Sequence, residues 1–334
     1  MLRLTASALC ALLLAGCETL SYYAQAVGGQ FSLISRKQSV ESLLADPKTP
    51  APLRERLALA REIRDYAVKS LKLPDNGSYR SYAELDRPFA VWNVVAAPEF
   101  SLEPRQSCFP VAGCVAYRGF FSEADARAYA DDLRNEGLDV HQYGVPAYST
   151  LGKFDDPLLS TFIRYPDAEL ARLIFHELAH QVAYVKDDST FNESFAVVVE
   201  RVGVRRWLAD TGRAALMQDF LAREARRREL AELMDQARAR LQLLYRQRIA
   251  PEAMRQKKHE EMTLLREKLV NSGFADVEPN NAFLASYATY TQLVGTFEHL
   301  LAEEGGELEK FYARVKQYAA SEPSNRGPLS KPNQ

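Results

Sequence analysis

Basic excess, cysteine, histidine and long apolar runs are all scarce in this chain, and each shortage removes a class of function. Lysine and arginine number 42 against 44 acidic residues, a formal charge of −2, so no dominant positive surface steers the protein toward nucleic acid. No nucleic-acid partner is expected. The apolar run near the N-terminus covers only about a dozen residues, too few to span a bilayer as a mature helix. Of the four cysteines, Cys10 and Cys17 fall inside or at the edge of that run. Cys108 and Cys114 have no second pair of ligands near them, which argues against a cysteine-built zinc module. No internal repeat divides the sequence. What is present is 47% hydrophobic and 26% charged residues over 334 positions, enough for one large domain or two modest ones with a real core.

The first twenty residues, MLRLTASALCALLLAGCETL, combine one positive charge at Arg3, the apolar run and a set of small residues, the layout of a secretory signal. Leu14, Ala15, Gly16 and Cys17 resemble the lipobox of bacterial lipoproteins. That resemblance implies cleavage after residue 16, a lipid on Cys17, and a membrane partner held through this N-terminal anchor. Glu18 after the cysteine implies transfer to the outer membrane, facing the periplasm. A plain secretory signal is the alternative. Export agrees with the remaining cysteines: Cys108 and Cys114 flank FPVAG, which can close a small disulfide loop in an oxidising compartment. Two free thiols are the alternative.

Residues 17–50 read as a tether with a weakly amphipathic piece. Leu53, Leu57, Ala60, Ile63, Ala67 and Leu71 recur at helical spacing after Pro52, predicting a helix over roughly 52–72. PFAVWNVVAAP and CVAYRGFF have strand composition. Ser122 and Asp125 open a capping-box-like helix over 123–136 that Gly137 stops, and LDVHQYGVPAYSTLG returns as a strand. The stretch Val145 to Gly152, with Ala147, Tyr148 and Ser149, is a candidate edge on which an extended peptide substrate could pair; a plain connecting strand is the alternative.

From 167 onward helix formers dominate. Leu230, Met234, Ala237, Leu241 and Leu244 alternate steps of four and three, and Pro251 restarts a second segment to Val270, so a coiled-coil-like hairpin is expected over 214–270. Arg223 and the arginines at 226–228 read as a solvated helix face, with a binding patch as the alternative. Residues 321–334 read as a disordered tail.

The chemistry concentrates in FHELAHQVAYVKDDSTFNESFA, residues 175–196. Leu170, Leu173, Ile174, Leu178 and Val182 give this helix, started by Pro166, a buried stripe. His176 and His180, four apart, leave one side of it with ring nitrogens placed to share one ion. Glu177 projects near the same point without having to bind, which suits a general base for an attacking water. With five histidines in the chain, a His-Glu-x-x-His pattern arises by chance in about one sequence in a couple of hundred of this composition, so its setting decides its weight. A catalytic zinc takes three protein ligands and keeps an open position. If the helix runs one more turn to near Val185 and KDDST reverses the chain, about 7 Å of rise must be recovered. Glu193, in the first turn of a second helix, can then reach the ion. A pair of histidines satisfied in an ordinary core is the alternative.

HELAH followed by NESFA resembles the gluzincin metallopeptidases. The exported layout together with AYSTLGKFDDPLLSTFIRYPDAELARLIFHELAHQ is similar to the bacterial family of predicted aminopeptidases, over most of the mature chain. The resemblance implies Zn²⁺ as cofactor, His176, His180 and Glu193 as its ligands, Glu177 as general base and a peptide as substrate, attacked at its N-terminus. It also implies an oxyanion-stabilising side chain downstream. Tyr287 and Tyr290 are the catalytic candidates, with His299 further on and ordinary core aromatics as the alternative. Twelve residues separate His180 from Glu193, fewer than in larger relatives. Val197 stands where thermolysin-type patterns have an aspartate that orients a ligand histidine, which leaves that supporting role unassigned. Asp155 and Asp156 are candidates to meet a substrate amine.

The expected fold class is α+β, mostly helical. A small α/β part over 51–166 precedes a helical part over 167–320 that holds a zincin-like active-site helix pair. A zinc endopeptidase, or a non-catalytic envelope-assembly lipoprotein that uses the hairpin as its contact, fits the same residues.

Overall fold

Strict alternation along Val91–Ala97 builds the wall on which the rest of the front half is assembled. In the computed structural model, which describes residues 22, 25, 27–109, 113–274 and 277–321, this segment is a fully buried strand. The chain leads into it through a helix over 27–35 (α1), β1 (Gln38–Ser39), α2 (Val40–Ala45), α3 (Ala51–Lys69) and β2 (Ser81–Ala83). The wall strand itself is β3. After it come β4 (Ser107–Phe109), β5 (Gly113–Val115), β6 (Arg118–Phe120), α4 (Glu123–Asn135), β7 (Asp139–Val145) and β8 (Leu158–Leu159).

Strand β3 pairs antiparallel with β6 on one side and β7 on the other. Its Trp92, Val94 and Ala96 pack under Ala126, Ala130 and Leu133 of α4, because residues two apart share a sheet face. The opposite face, with Val91 and Asn93, is left to line a cavity. Ser122 starts α4 as expected, its hydroxyl accepting from the Asp125 N–H at 3.3 Å. Cys108 and Cys114 face each other across the β4–β5 hairpin and are disulfide-bonded.

The back half is α5 (Asp167–Ala179), α6 (Ser189–Asp210), the long pair α7 (Ala214–Tyr245) and α8 (Pro251–Asn271), then α9 (Asn281–Thr291), α10 (Val294–Glu303) and α11 (Leu308–Ala320). Helices α7 and α8 form the expected hairpin, with Met234, Ala237, Leu241 and Leu244 buried against Met254, Met262, Leu265 and Leu269. The molecule is thus α+β and mostly helical. Among the arginines expected on a solvated face, Arg223 pairs with Asp219 at 3.0 Å. Arg226 donates to the Ser272 carbonyl and Arg227 to Glu169, both at 2.6 Å.

Two expectations are corrected, the tether and the reach of one strand. Residues 27–50 are folded rather than a tether: β1 pairs with β2, the Val40 N–H donates to the Arg80 carbonyl, and Leu33 and Val40 are each only 2% exposed. Strands give way to helices at residue 166, but one core runs across that point. The stripe Leu57, Ala60, Ile63, Ala67 and Leu71 of the α3 region belongs to the same apolar cluster as Leu170, Ile174, Phe195 and Trp207 of α5 and α6. The strand expected to reach Gly152 stops at Val145. Pro146 carries no N–H to continue the ladder, and Leu151 and Gly152 turn through positive φ (57° and 75°), so 146–157 is a loop. The signal over 1–16, the lipidation site Cys17 and the tail beyond Ser321 lie outside the described residues.

Candidate metal centre

Helices α5 and α6 carry the chemistry, and the sequence between them decides how they meet. Helix α5 ends at Ala179 with His180 as its C-cap, a full turn earlier than the expected end near Val185. The last turn tightens, with Gln181 and Val182 donating to carbonyls three residues back. The Gln181 side chain leaves the helix to bond Asn76 and Ser78. Asp188 then caps α6 by accepting from the Phe191 N–H at 2.9 Å. Asn192, 3% exposed, clamps the connection: its amide accepts from the Val185 N–H and donates to the Val185 carbonyl, each at 2.8 Å. Close packing of the two helices is helped by Gly203, where a Cβ would come within 2.8 Å of the Phe175 and Leu71 side chains.

This arrangement brings His176, His180 and Glu193 together, one ligand atom from each lying within 4.8 Å of the others. His176 Nε2 is 3.2 Å and His180 Nε2 3.6 Å from the same Glu193 oxygen. Donors bound at ~2.0–2.1 Å around a tetrahedral zinc lie about 3.3–3.4 Å apart, and the two imidazole–carboxylate distances fall on either side of that spacing; two imidazoles and a carboxylate are also donors of the type zinc takes. Beside the cluster lies Glu200, buried, its Oε2 accepting from His176 Nδ1 at 2.9 Å and from Arg172 at 3.0 Å. The position that the sequence left unassigned, a partner for the histidine's second nitrogen, is thus occupied by Glu200; were a cation bound, a proton kept on Nδ1 would leave Nε2 free to face it. His180 Nδ1 is buried with no hydrogen-bond partner among the described residues.

The electrostatics are those of buried carboxylates closing on two imidazoles and a guanidinium. Burial pulls the His176 imidazole down, but its bonds to Glu193 and Glu200 more than reverse this and lift it to about 10. Burial also opposes ionisation of Glu193, yet the two histidines hold its carboxyl far below the usual range. Glu200 is held at about 2, burial being outweighed by Arg172 and His176. Glu177 goes the other way. Burial raises it against the pull of His176 and His180, which suits a carboxylate that must accept a proton.

These groups sit at the base of a cavity of about 340 Å³ lined by both histidines, Glu177 and Glu193. Of the other predicted residues, Ala147, Tyr148, Ser149 and Tyr290 line it too, although the first three do so from a loop rather than a strand. The Tyr148 hydroxyl is taken by Gln30 of α1. Tyr290 lies over the His176 ring, centroids 6.5 Å apart. Tyr287 is not at the site: it packs on the hairpin core beside Phe283. His299 is half-exposed on α10, 3.4 Å from Glu303. Asp155 is exposed, and Asp156 is buried under its own loop, accepting from the Thr150 N–H and hydroxyl. Neither lines the cavity. Tyr117, in the β5–β6 connection, and Tyr143 of β7 approach the site from the sheet side; burial and the Glu193 charge push the Tyr117 phenol well up, and burial takes Tyr143 to about 12. Tyr117 and Tyr184 also line the cavity wall. A larger groove, about 740 Å³, runs between α6, α7 and α10, but the three-residue donor set among the described residues is in the smaller one.

No curated protein and no solved structure matches this chain. A family model described as "Putative aminopeptidase" matches residues 21–328, the segment that contains every residue of the donor set, and the chain belongs to that family.

Proposed function

We propose that this protein is a zinc-dependent peptide hydrolase that acts as an aminopeptidase. The observation that carries the reading is the convergence of two imidazole nitrogens and one carboxylate oxygen within 4.8 Å of one another, with Glu177, raised by burial, beside them on a cavity wall. When bound at His176, His180 and Glu193, zinc supplies Lewis acidity that polarises a peptide carbonyl and makes water a stronger acid. Glu177 takes the proton from the attacking water and returns it to the leaving amine. Tyr290, lying over His176 with its phenol kept neutral by burial, is placed to donate to the carbonyl oxygen as charge develops there. Glu200 keeps the His176 ring in register throughout.

The N-terminal sequence supports a lipid-anchored protein on the periplasmic side of the outer membrane. No described helix is long and apolar enough to cross a membrane. One observation favours a second reading, an endopeptidase. Both carboxylates on the described cavity lining, Glu177 and Glu193, already belong to the reaction machinery, while the remaining wall is mostly aromatic and aliphatic. Cleavage of free-amine but not N-acetylated peptides supports aminopeptidase action; equal cleavage of both supports the endopeptidase.

The test of the metal reading is elemental analysis with a peptide-release assay on wild type, Glu193→Ala and Glu177→Gln. Wild type is expected to hold one zinc per chain and Glu193→Ala to lose it. Glu177→Gln should keep zinc and lose about 10²–10⁴-fold in rate. Equal zinc in wild type and Glu193→Ala rejects the third ligand, and full activity in Glu177→Gln rejects the base.

A further inference from the structure

Behind Glu200 the structure holds a chain of ion pairs that leaves the metal centre and reaches the helical hairpin. Arg172 of α5 bonds Glu200 of α6 at 3.0 Å on one side and Glu169 at 2.8 Å on the other. The second oxygen of Glu169 accepts from Arg227 of α7 at 2.6 Å. Arg227 also bonds Glu224 at 3.0 Å, a carboxylate whose side chain is only 2% exposed. Arg201 of α6 lies 3.0 Å from the other Glu224 oxygen and 3.2 Å from Glu298 of α10. Four helices are therefore joined by alternating charges, and one end of the series is the Nδ1 of a proposed metal ligand.

Resting on the metal-centre reading above, we propose that Arg227 is a positioning residue for the metal: through Glu169, Arg172 and Glu200 it holds the His176 ring. Two carboxylates compete for a single guanidinium. Arg172 bonds both Glu169 and Glu200, and Arg227 relieves the competition by neutralising Glu169 from its far side. Without Arg227, Glu169 keeps Arg172 as its one ion-pair partner among the described residues and draws it closer. Glu200 then loses the partner that fixes it, and His176 loses the acceptor that fixes its ring. Arginine suits this because its planar fork spans two carboxylates at once. The hairpin, joined to the core around α5 and α6 through Phe220 but packing α7 on α8 in a cluster of its own, thereby acts on a site it does not line.

Sign separates this from a simple charge effect. Removing a positive charge near a cation site tightens cation binding by Coulomb's law, whereas losing the ring's support weakens it. The experiment is zinc affinity of the purified protein, by competition against a chromogenic chelator, for wild type, Arg227→Met, Glu200→Gln and the double variant, with Arg223→Met on the same helix as control. Arg227→Met is expected to bind zinc about 10-fold more weakly, the low end of the contribution of an outer partner, and Arg223→Met to match wild type. The double variant should bind as Glu200→Gln alone does, because the series is already cut. Unchanged or tighter binding by Arg227→Met overturns the inference, as does an additive double variant, which would mean action through general stability. Should Arg227→Met not fold, Arg227→Lys takes its place in the same cycle with the same criteria. A wild type that holds no zinc overturns the metal-centre reading itself, a result distinct from zinc held equally by all variants.

Discussion

Replacing Glu200 with glutamine removes one charge and keeps the shape, and the structure says what that costs. The residue is 3% exposed; one carboxylate oxygen serves both His176 Nδ1 and Arg172, and the other also accepts from Arg172, at 3.2 Å. An amide has a single acceptor oxygen. If it faces His176, its NH₂ group meets the Arg172 guanidinium, donor against donor; if it faces Arg172, His176 Nδ1 loses its acceptor and the ring its preferred tautomer. Outer partners of this kind contribute 10- to 100-fold in metal affinity, about 1.4–2.7 kcal/mol. The metal-free protein should lose a further amount of about 2 kcal/mol. That lies below the usual cost of breaking a buried pair, because Arg172 retains Glu169 and is itself 26% exposed. The assay is zinc titration calorimetry well below the melting temperature, with urea unfolding of the metal-free protein alongside. A Glu200→Gln protein that binds zinc as wild type does would show that His176 needs no orienting partner, and the account of the site would fail at that link.

Two further predictions follow from buried groups near the helix pair. Asn192→Ala strips both hydrogen bonds from Val185 and should destabilise the fold by about 2–4 kcal/mol, since a buried N–H and C=O are left unpaired; a urea-unfolding difference under about 1 kcal/mol refutes the clamp. Asp156, 4% exposed, is raised by burial from 3.8 to about 6, so the folded state binds its proton more tightly than the unfolded state. Stability from this group is fully present below pH 3.8 and is lost as pH rises through 6, by about 3 kcal/mol in total. Asp156→Asn should remove that slope, and an unfolding free-energy difference between variant and wild type that is flat from pH 4 to 7 refutes it.

What the sequence made legible was whatever is periodic and local. The stripes of the α3 and α5 helices could be read because burial acts at the helical repeat, and the cap at Ser122 because it is made within three residues. His176, Glu177 and His180 could be read for the same reason, being fixed by one turn of one helix. Glu200 could not. It lies seven residues after Glu193, two turns along the same helix face, but that spacing means nothing until a second helix supplies an imidazole at the right height. The early end of α5 was equally hidden: Gln181–Val185 contains no glycine or proline, and the turn is made by partners at Asn76, Ser78 and Asn192 that pattern alone does not connect.

The change from strands to helices near residue 166 leaves the core undivided, and that bears on function. A change of composition marks where strands give way to helices, but a core forms wherever apolar faces meet. Here the α3 stripe and residues 33–40 close over the same cluster that backs α5 and α6. The donor set therefore does not sit on a helix pair that could stand alone. Its inner side is buried by the N-terminal segments, its open side is walled by β3 and β7, and its charge balance runs out through Arg172 to the hairpin. The geometry of His176, His180 and Glu193 thus depends on much of the described chain, so a substitution far from the cavity, at Arg227 or Gly203, can shift these three side chains without touching them.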